Sequence, residues 1–152
     1  MIRIERSVII NRPIELVFAF MTDIDNLSKW IPAVVKSEKS SPGPMGVGTT
    51  EHEAFRAFFL LRGENTSVVT EYQPNKKIAW KTTSSLFPPW ETTYNFESVE
   101  SGTKVTYILL WELKGLYKPL KPLVVFMETI YDVEAPLRNL KNLLESHHDS
   151  FD

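Results

Sequence analysis

The sequence predicts an α+β domain: a seven-stranded antiparallel sheet, two short helices after the first strand, and one long helix near the C-terminal end. Three observations predict it. Apolar and polar residues alternate in several separate segments, the period of strands with one buried face. Clusters of turn-forming residues punctuate those segments at short intervals, which favours antiparallel hairpins. Toward the end, apolar residues instead recur every three or four positions, the period of a helix.

In the first strand Ile2, Ile4, Val8 and Ile10 alternate with Arg3, Glu5, Ser7 and Asn11, and Arg6 interrupts the apolar face. Pro13 suits a helix start, because its missing N–H would be unpaired there anyway, and Ile14, Val17, Phe18 and Met21 follow at helical spacing. Asp23 is placed to cap a second short helix that buries Leu27 and Trp30 and stops at Pro32. Beyond Ala33, five turn signals delimit six strands: Pro42-Gly43-Pro44 with Gly46, Gly63-Glu64-Asn65, Gln73-Pro74-Asn75, Pro88-Pro89 and Ser101-Gly102. Pro119 and Pro122 then mark a helix start. Leu123, Met127, Ile130, Val133, Leu137, Leu140 and Leu144 make one apolar stripe, and Pro136 inside it predicts a bend. From Leu120 to Glu145 such a helix is about 39 Å long.

With 152 residues, 43% of them hydrophobic, the chain fits a single domain. Its expected extent is residues 1–146, followed by a flexible polar tail, 147–152. A net charge of -2 with no basic cluster disfavours nucleic acid and anionic surfaces. There is no cysteine, so disulfides and thiolate chemistry are excluded. The first residues carry charges among their apolar positions, unlike a signal peptide, and no run approaches the ~18 apolar residues of a membrane-spanning helix. A cytoplasmic protein without membrane insertion is expected.

Four stretches, RSVIINRPIELVFAFMTDIDNLSKWIP, GVGT, VVTEYQPNKKIAW and PLKPLVVFMETIYDVEAPLRNLKNLLE, carry a resemblance in their order and spacing. Together they resemble the START-related (SRPBCC) superfamily of helix-grip proteins, and within it the polyketide cyclase/dehydrase-like members. The resemblance implies a strongly curved sheet gripping the last helix, with a cavity between them for a hydrophobic or amphipathic small molecule. Relatives include carriers, ligand-binding proteins and cyclases, so the fold leaves the function open. The first expectation is binding or transport of a lipid, sterol, polyketide or quinone-like molecule without a cofactor. The alternatives are a cyclase/dehydratase and a protein-interaction module with a vestigial cavity.

In GTTEHEAFRAFFLL, alternation puts Glu51 and Glu53 on the face of Phe55, Phe59 and Leu61. A buried carboxylate must be paired, hydrogen-bonded or protonated. The plainer expectation leaves both glutamates in water at an open rim, or turned out by a bulge. The sharper one makes them the polar end of the cavity, with Arg6 neutralising one and the other serving as a general acid or base. Alternation sends His52 to the opposite face, so Glu-His-Glu is not expected to hold a metal. Trp80, Trp90, Tyr94, Tyr107 and Trp111 fall on inner faces as core or ligand wall, with Met127, Tyr131 and Glu128 reaching in from the helix. Leu86 and Phe87 before two prolines, and Leu116 and Tyr117 in KGLYKP, are candidate loops at the cavity mouth. The glycines at 43, 46 and 48 lead into a strand and make no phosphate cradle. Asn65-Thr66-Ser67 reads as a glycosylation sequon unused in the cytoplasm. Ile108 and Leu110 on an outer face hint at a homodimer surface, otherwise a monomer is expected.

Overall fold

A computed structural model of the protein describes residues 1–57, 61–123 and 133–146. The described residues form one seven-stranded, wholly antiparallel, curved sheet in the order β1-β7-β6-β5-β4-β3-β2. Its strands are β1 (Ile2–Ile10), β2 (Val34–Lys39), β3 (Thr50–Ala57), β4 (Leu61–Gln73), β5 (Lys77–Ser84), β6 (Trp90–Val99) and β7 (Gly102–Trp111). Helices α1 (Ile14–Thr22) and α2 (Leu27–Trp30) follow β1, and α3 (Ala135–Ser146) ends the described chain. The architecture is the predicted helix grip.

Local signals act as chemistry requires. Val17 N donates to Pro13 O at 3.1 Å, so the proline opens α1. The Asp23 carboxylate accepts from Asp25 N at 3.1 Å and caps the short 3₁₀ turn that leads into α2. In β4 the register shifts between Val69 and Glu71. That bulge turns Glu71 outward to Lys77, 2.8 Å away, and Tyr72 inward against Phe18.

Two expectations are corrected. Gly63-Glu64-Asn65 is not a turn, because β4 runs straight through it. The glycine is there for space: a Cβ on Gly63 would lie 2.7 Å from the Phe55 ring, which crosses β4 at that point. Leu61 therefore opens β4 instead of extending β3, and it is exposed; Phe59 lies outside the described residues. The second correction concerns Pro136. Residues 133 and 134 form a turn and α3 starts at Ala135, so Pro136 occupies a first turn, where the missing N–H breaks no helical bond. Residues 124–132 of the predicted stripe, and the tail from 147, lie outside the described residues.

The core fills one end of the sheet. Leu140 and Leu144 of α3, with Val17, Phe18 and Met21 of α1, pack on Ile10, Val69, Ile78, Phe96 and Val105. Lys141 Nζ bonds Glu145 at 2.8 Å, and Asn11 N donates to the same carboxylate at 3.2 Å, tying α3 to the end of β1. No described helix is long and apolar enough to cross a membrane. Ile108 and Leu110 are half-buried on the other side of β7.

Because Leu140 is fully buried and Leu116 is 94% exposed, their truncations should part company. Leu140→Ala is expected to cost about 2–5 kcal/mol in denaturant unfolding, and Leu116→Ala to stay within about 0.5 kcal/mol of the parent. Equal losses would contradict the packing described.

Candidate functional site

Beyond Leu137, the α3 stripe stops covering the sheet and a cavity of about 340 Å³ opens. Its described walls come from β1, the segment from α2 into β2, β3 to β7, and the start of α3. Trp80, Trp90, Tyr94, Tyr107 and Trp111 all line it, as does Phe87. Tyr94 and Tyr107 lie at a centroid distance of 5.3 Å, and Trp30 meets Tyr94 edge-on at 5.9 Å. A second aromatic group surrounds Phe87, which approaches Phe55 at 5.8 Å and Trp111 at 6.4 Å. Trp111 Nε1 donates to Pro88 O at 3.1 Å and so holds the diproline loop against β7.

One part of the wall is polar, amid aliphatic residues such as Ile4, Val34, Leu109 and Leu137. Pairing of β3 with β4 sets Glu51 opposite Ser67 and Glu53 opposite Asn65, and β5 sets Thr82 beside Ser67. Asn65 Nδ2 donates to Glu53 Oε1 at 2.8 Å. The Ser67 hydroxyl bonds the Glu51 carboxyl and shares a hydrogen bond of 2.8 Å with Thr82. The two glutamates hydrogen-bond each other.

Glu51 is only 3% exposed, so the expectation of a watery rim is overturned. Burial first, and then the neighbouring Glu53 charge, push its pKa up to about 8, against a partial offset from Ser67. Burial raises Glu53 as well, opposed by its bonds from Asn65 and Glu51. Both shifts favour the protonated carboxyl, and at about 8 Glu51 keeps its proton at neutral pH. Burial, helped by Tyr107 and Glu53, raises the Tyr94 phenol well above its usual value, and it stays protonated.

The expected Arg6 partnership is also overturned. Arg6 Nε lies 3.3 Å from Glu134 and its Nη1 donates to Glu5 O at 2.8 Å. The sheet order explains this: β1 and β3 are separated by four strands, so Arg6 stands roughly 24 Å along the sheet from the glutamates at about 4.8 Å per strand. His52 faces the other way, 3.6 Å from Glu64. Leu86, Leu116 and Tyr117 are exposed and do not line the cavity. Met127, Tyr131 and Glu128 lie outside the described residues.

Among the wall residues that sequence reasoning misses are Asn65, Ser67 and Trp30. Asn65 and Ser67 were hidden in a supposed turn and sequon, although their two-residue spacing with Val69 is a strand signal. Trp30 was assigned to helix packing alone. Trp30 Nε1, Glu51 Oε2 and Asn65 Oδ1 are each buried without a hydrogen-bond partner, and all three residues line the cavity.

An antiparallel sheet gripping a helix around a cavity with a polar corner defines the helix-grip class of proteins. The family described as polyketide cyclase / dehydrase and lipid transport matches residues 1–145, and the chain belongs to it. No curated protein sequence matches. Among solved structures, the chain is similar to TTHA0849 from Thermus thermophilus at 21% identity and TM-score 0.72, covering 95% of this chain and 97% of that one. It is similar to Aha1, solved as a dimer, from Colwellia psychrerythraea at 25% identity and TM-score 0.64, with coverage of 95% and 97%. It is also similar to the di-domain ARO/CYC BexL of the BE-7585A biosynthetic pathway at 18% identity and TM-score 0.69, covering 93% of this chain and 49% of that one.

The held proton makes stability depend on pH. Between the ordinary value of 4.5 and about 8, the unfolded chain loses the Glu51 proton and the folded chain keeps it, so stability falls as pH rises, by roughly 1.4 kcal/mol per pH unit at most. Glu51→Gln should flatten that decline and exceed the parent's stability at pH 8. Denaturant unfolding from pH 5 to pH 8 would refute this if the two proteins kept the same slope.

Proposed function

We propose that the protein binds a hydrophobic or amphipathic small molecule, ring-bearing and polar at one end, in the cavity between sheet and C-terminal helix. The observation that carries this reading is an aromatic-walled cavity whose lining residues carry three buried, unpartnered polar atoms. A volume of about 340 Å³ falls in the range of small-molecule sites. A guest hiding on the order of 250 Å² of apolar surface gains about 6 kcal/mol before the costs of association. Family membership supports the reading, and the open cavity argues against the collapsed interior of a pure interaction module.

Native mass spectrometry of freshly purified protein should detect a co-purifying molecule, or accept an added aromatic probe in one-to-one ratio. Thr92→Trp, which fills the cavity from β6, should abolish binding and leave the fold intact. Unchanged binding by that variant would sink the proposal.

A cyclase/dehydratase is favoured as the second reading by one observation: two carboxyls side by side on the cavity wall, Glu51 buried and Glu53 held by Asn65. In a dehydration, the Glu53 carboxylate takes a Cα proton while the electron pair of that C–H bond forms the double bond. The C–O bond breaks, and the departing hydroxyl takes the Glu51 proton and leaves as water. A proton then passes from Glu53 to Glu51 through their shared hydrogen bond and restores the pair. The similar BexL is a di-domain ARO/CYC protein, in keeping with this reading. Glu51→Gln should then keep substrate affinity and lose at least about 100-fold in turnover; turnover within threefold of the parent would leave the carrier reading alone.

A further inference from the structure

Electrostatic composition narrows the guest, on the premise that the cavity binds a small molecule at all. The described lining holds two carboxylates and no lysine, arginine or histidine. Two carboxyls on alternate residues of one strand, facing the same cavity, ionise in coupled steps, and the first ionisation leaves one negative charge at the corner. The nearby ionisable groups point elsewhere: His52 lies on the outer side facing Glu64 and acts on Glu53 only weakly from there, Arg6 turns to Glu134, and Lys39, opposite Glu51 on β2, is exposed. Tyr94 and Tyr107, the titratable groups on the opposing wall, carry no positive charge in any state. Among the described residues the lining therefore offers two carboxyls and no cation, an arrangement whose ionisation is costly until a cation joins it.

Hydrogen bonding points the same way. Glu51 Oε2 and Asn65 Oδ1 are acceptors without donors, on residues 3% and 5% exposed. A guest carbonyl offers neither acceptor a proton. An alcohol offers one donor, and a guest carboxylate adds like charge. An ammonium group brings three donors and the missing positive charge. Trp30 and Tyr94 meet edge-on in the same cavity, across from the carboxyls, and indole and phenol rings attract cations. The Trp30 N–H is left for an oxygen elsewhere on the guest.

We propose that the polar corner of the cavity is a site for a protonated amine, carried on an apolar or aromatic body that fills the space between Trp80, Trp90 and Trp111.

Calorimetric titration of the purified chain at pH 7 with tryptamine and with tryptophol tests this, because the two probes share size and ring and differ in ammonium against hydroxyl. Tryptamine should bind at least about tenfold more tightly, as an ion pair replaces a neutral hydrogen bond. Glu53→Gln should reduce that preference to about threefold or less while tryptophol binding stays put. Equal or tighter binding of tryptophol by the parent protein overturns the amine assignment and leaves the cavity reading standing. A preference that survives in the Glu51→Gln/Glu53→Gln double variant overturns it too, since the charge would then act from elsewhere. Failure of both probes to bind overturns the assignment and the cavity reading together. The comparison on the parent protein stands even if a variant misfolds.

Discussion

Each strand of a one-layer sheet has an inner face that must be covered, and here the helices cover only part of it. The apolar stripe of α3 reaches Ile10, Val105 and their neighbours through Leu140 and Leu144, and its first turn meets open space through Pro136 and Leu137. Coverage and vacancy thus lie along one helix. The same alternation that buries Val69 and Ile78 at the filled end carries Glu51, Asn65, Ser67 and Thr82 inward at the hollow end. Strand geometry cannot turn them outward without a bulge, and the two bulges fall elsewhere, on β2 and at Val69/Glu71.

The polar corner is then a matter of satisfying groups that have nowhere else to go. Ser67, Thr82 and Asn65 meet part of the demand with bonds across neighbouring strands. The proton kept by Glu51 removes one charge. What remains, a second carboxyl and three unpartnered atoms, is the difference between a packed core and a receptive one. A protein selected only for stability would replace these residues with apolar ones.

Much of the fold was legible because it is written in short-range patterns. Pro13 and Asp23 act through their own backbone neighbours, and strand period survives in every sheet element. What failed was what depends on partners far apart in sequence. Gly63 looks like a turn until the Phe55 ring is seen lying across it, and Arg6 looks like a partner for Glu51 until four strands are counted between them. Asn65 belongs to the site because β3 pairs with β4 in one register, which hydropathy does not disclose. Burial of Glu51 follows from what surrounds it on other elements, Ser67 of β4 among them, so the period that set its direction said nothing of whether water would meet it there. Pro136 matched the helical period on both sides, and the turn at residues 133 and 134 left no trace in that spacing.

The pairing of β1 with β7 joins Ile2 to Trp111 and Ile10 to Thr103. During synthesis the first strand leaves the ribosome long before β7, its one sheet neighbour among the described residues, and it must wait as an unmatched apolar ribbon while β2 to β6 assemble. Such distant pairing slows folding and exposes the nascent chain to aggregation. The charges of Arg3, Glu5 and Arg6 on that ribbon blunt its attraction for other chains in the meantime.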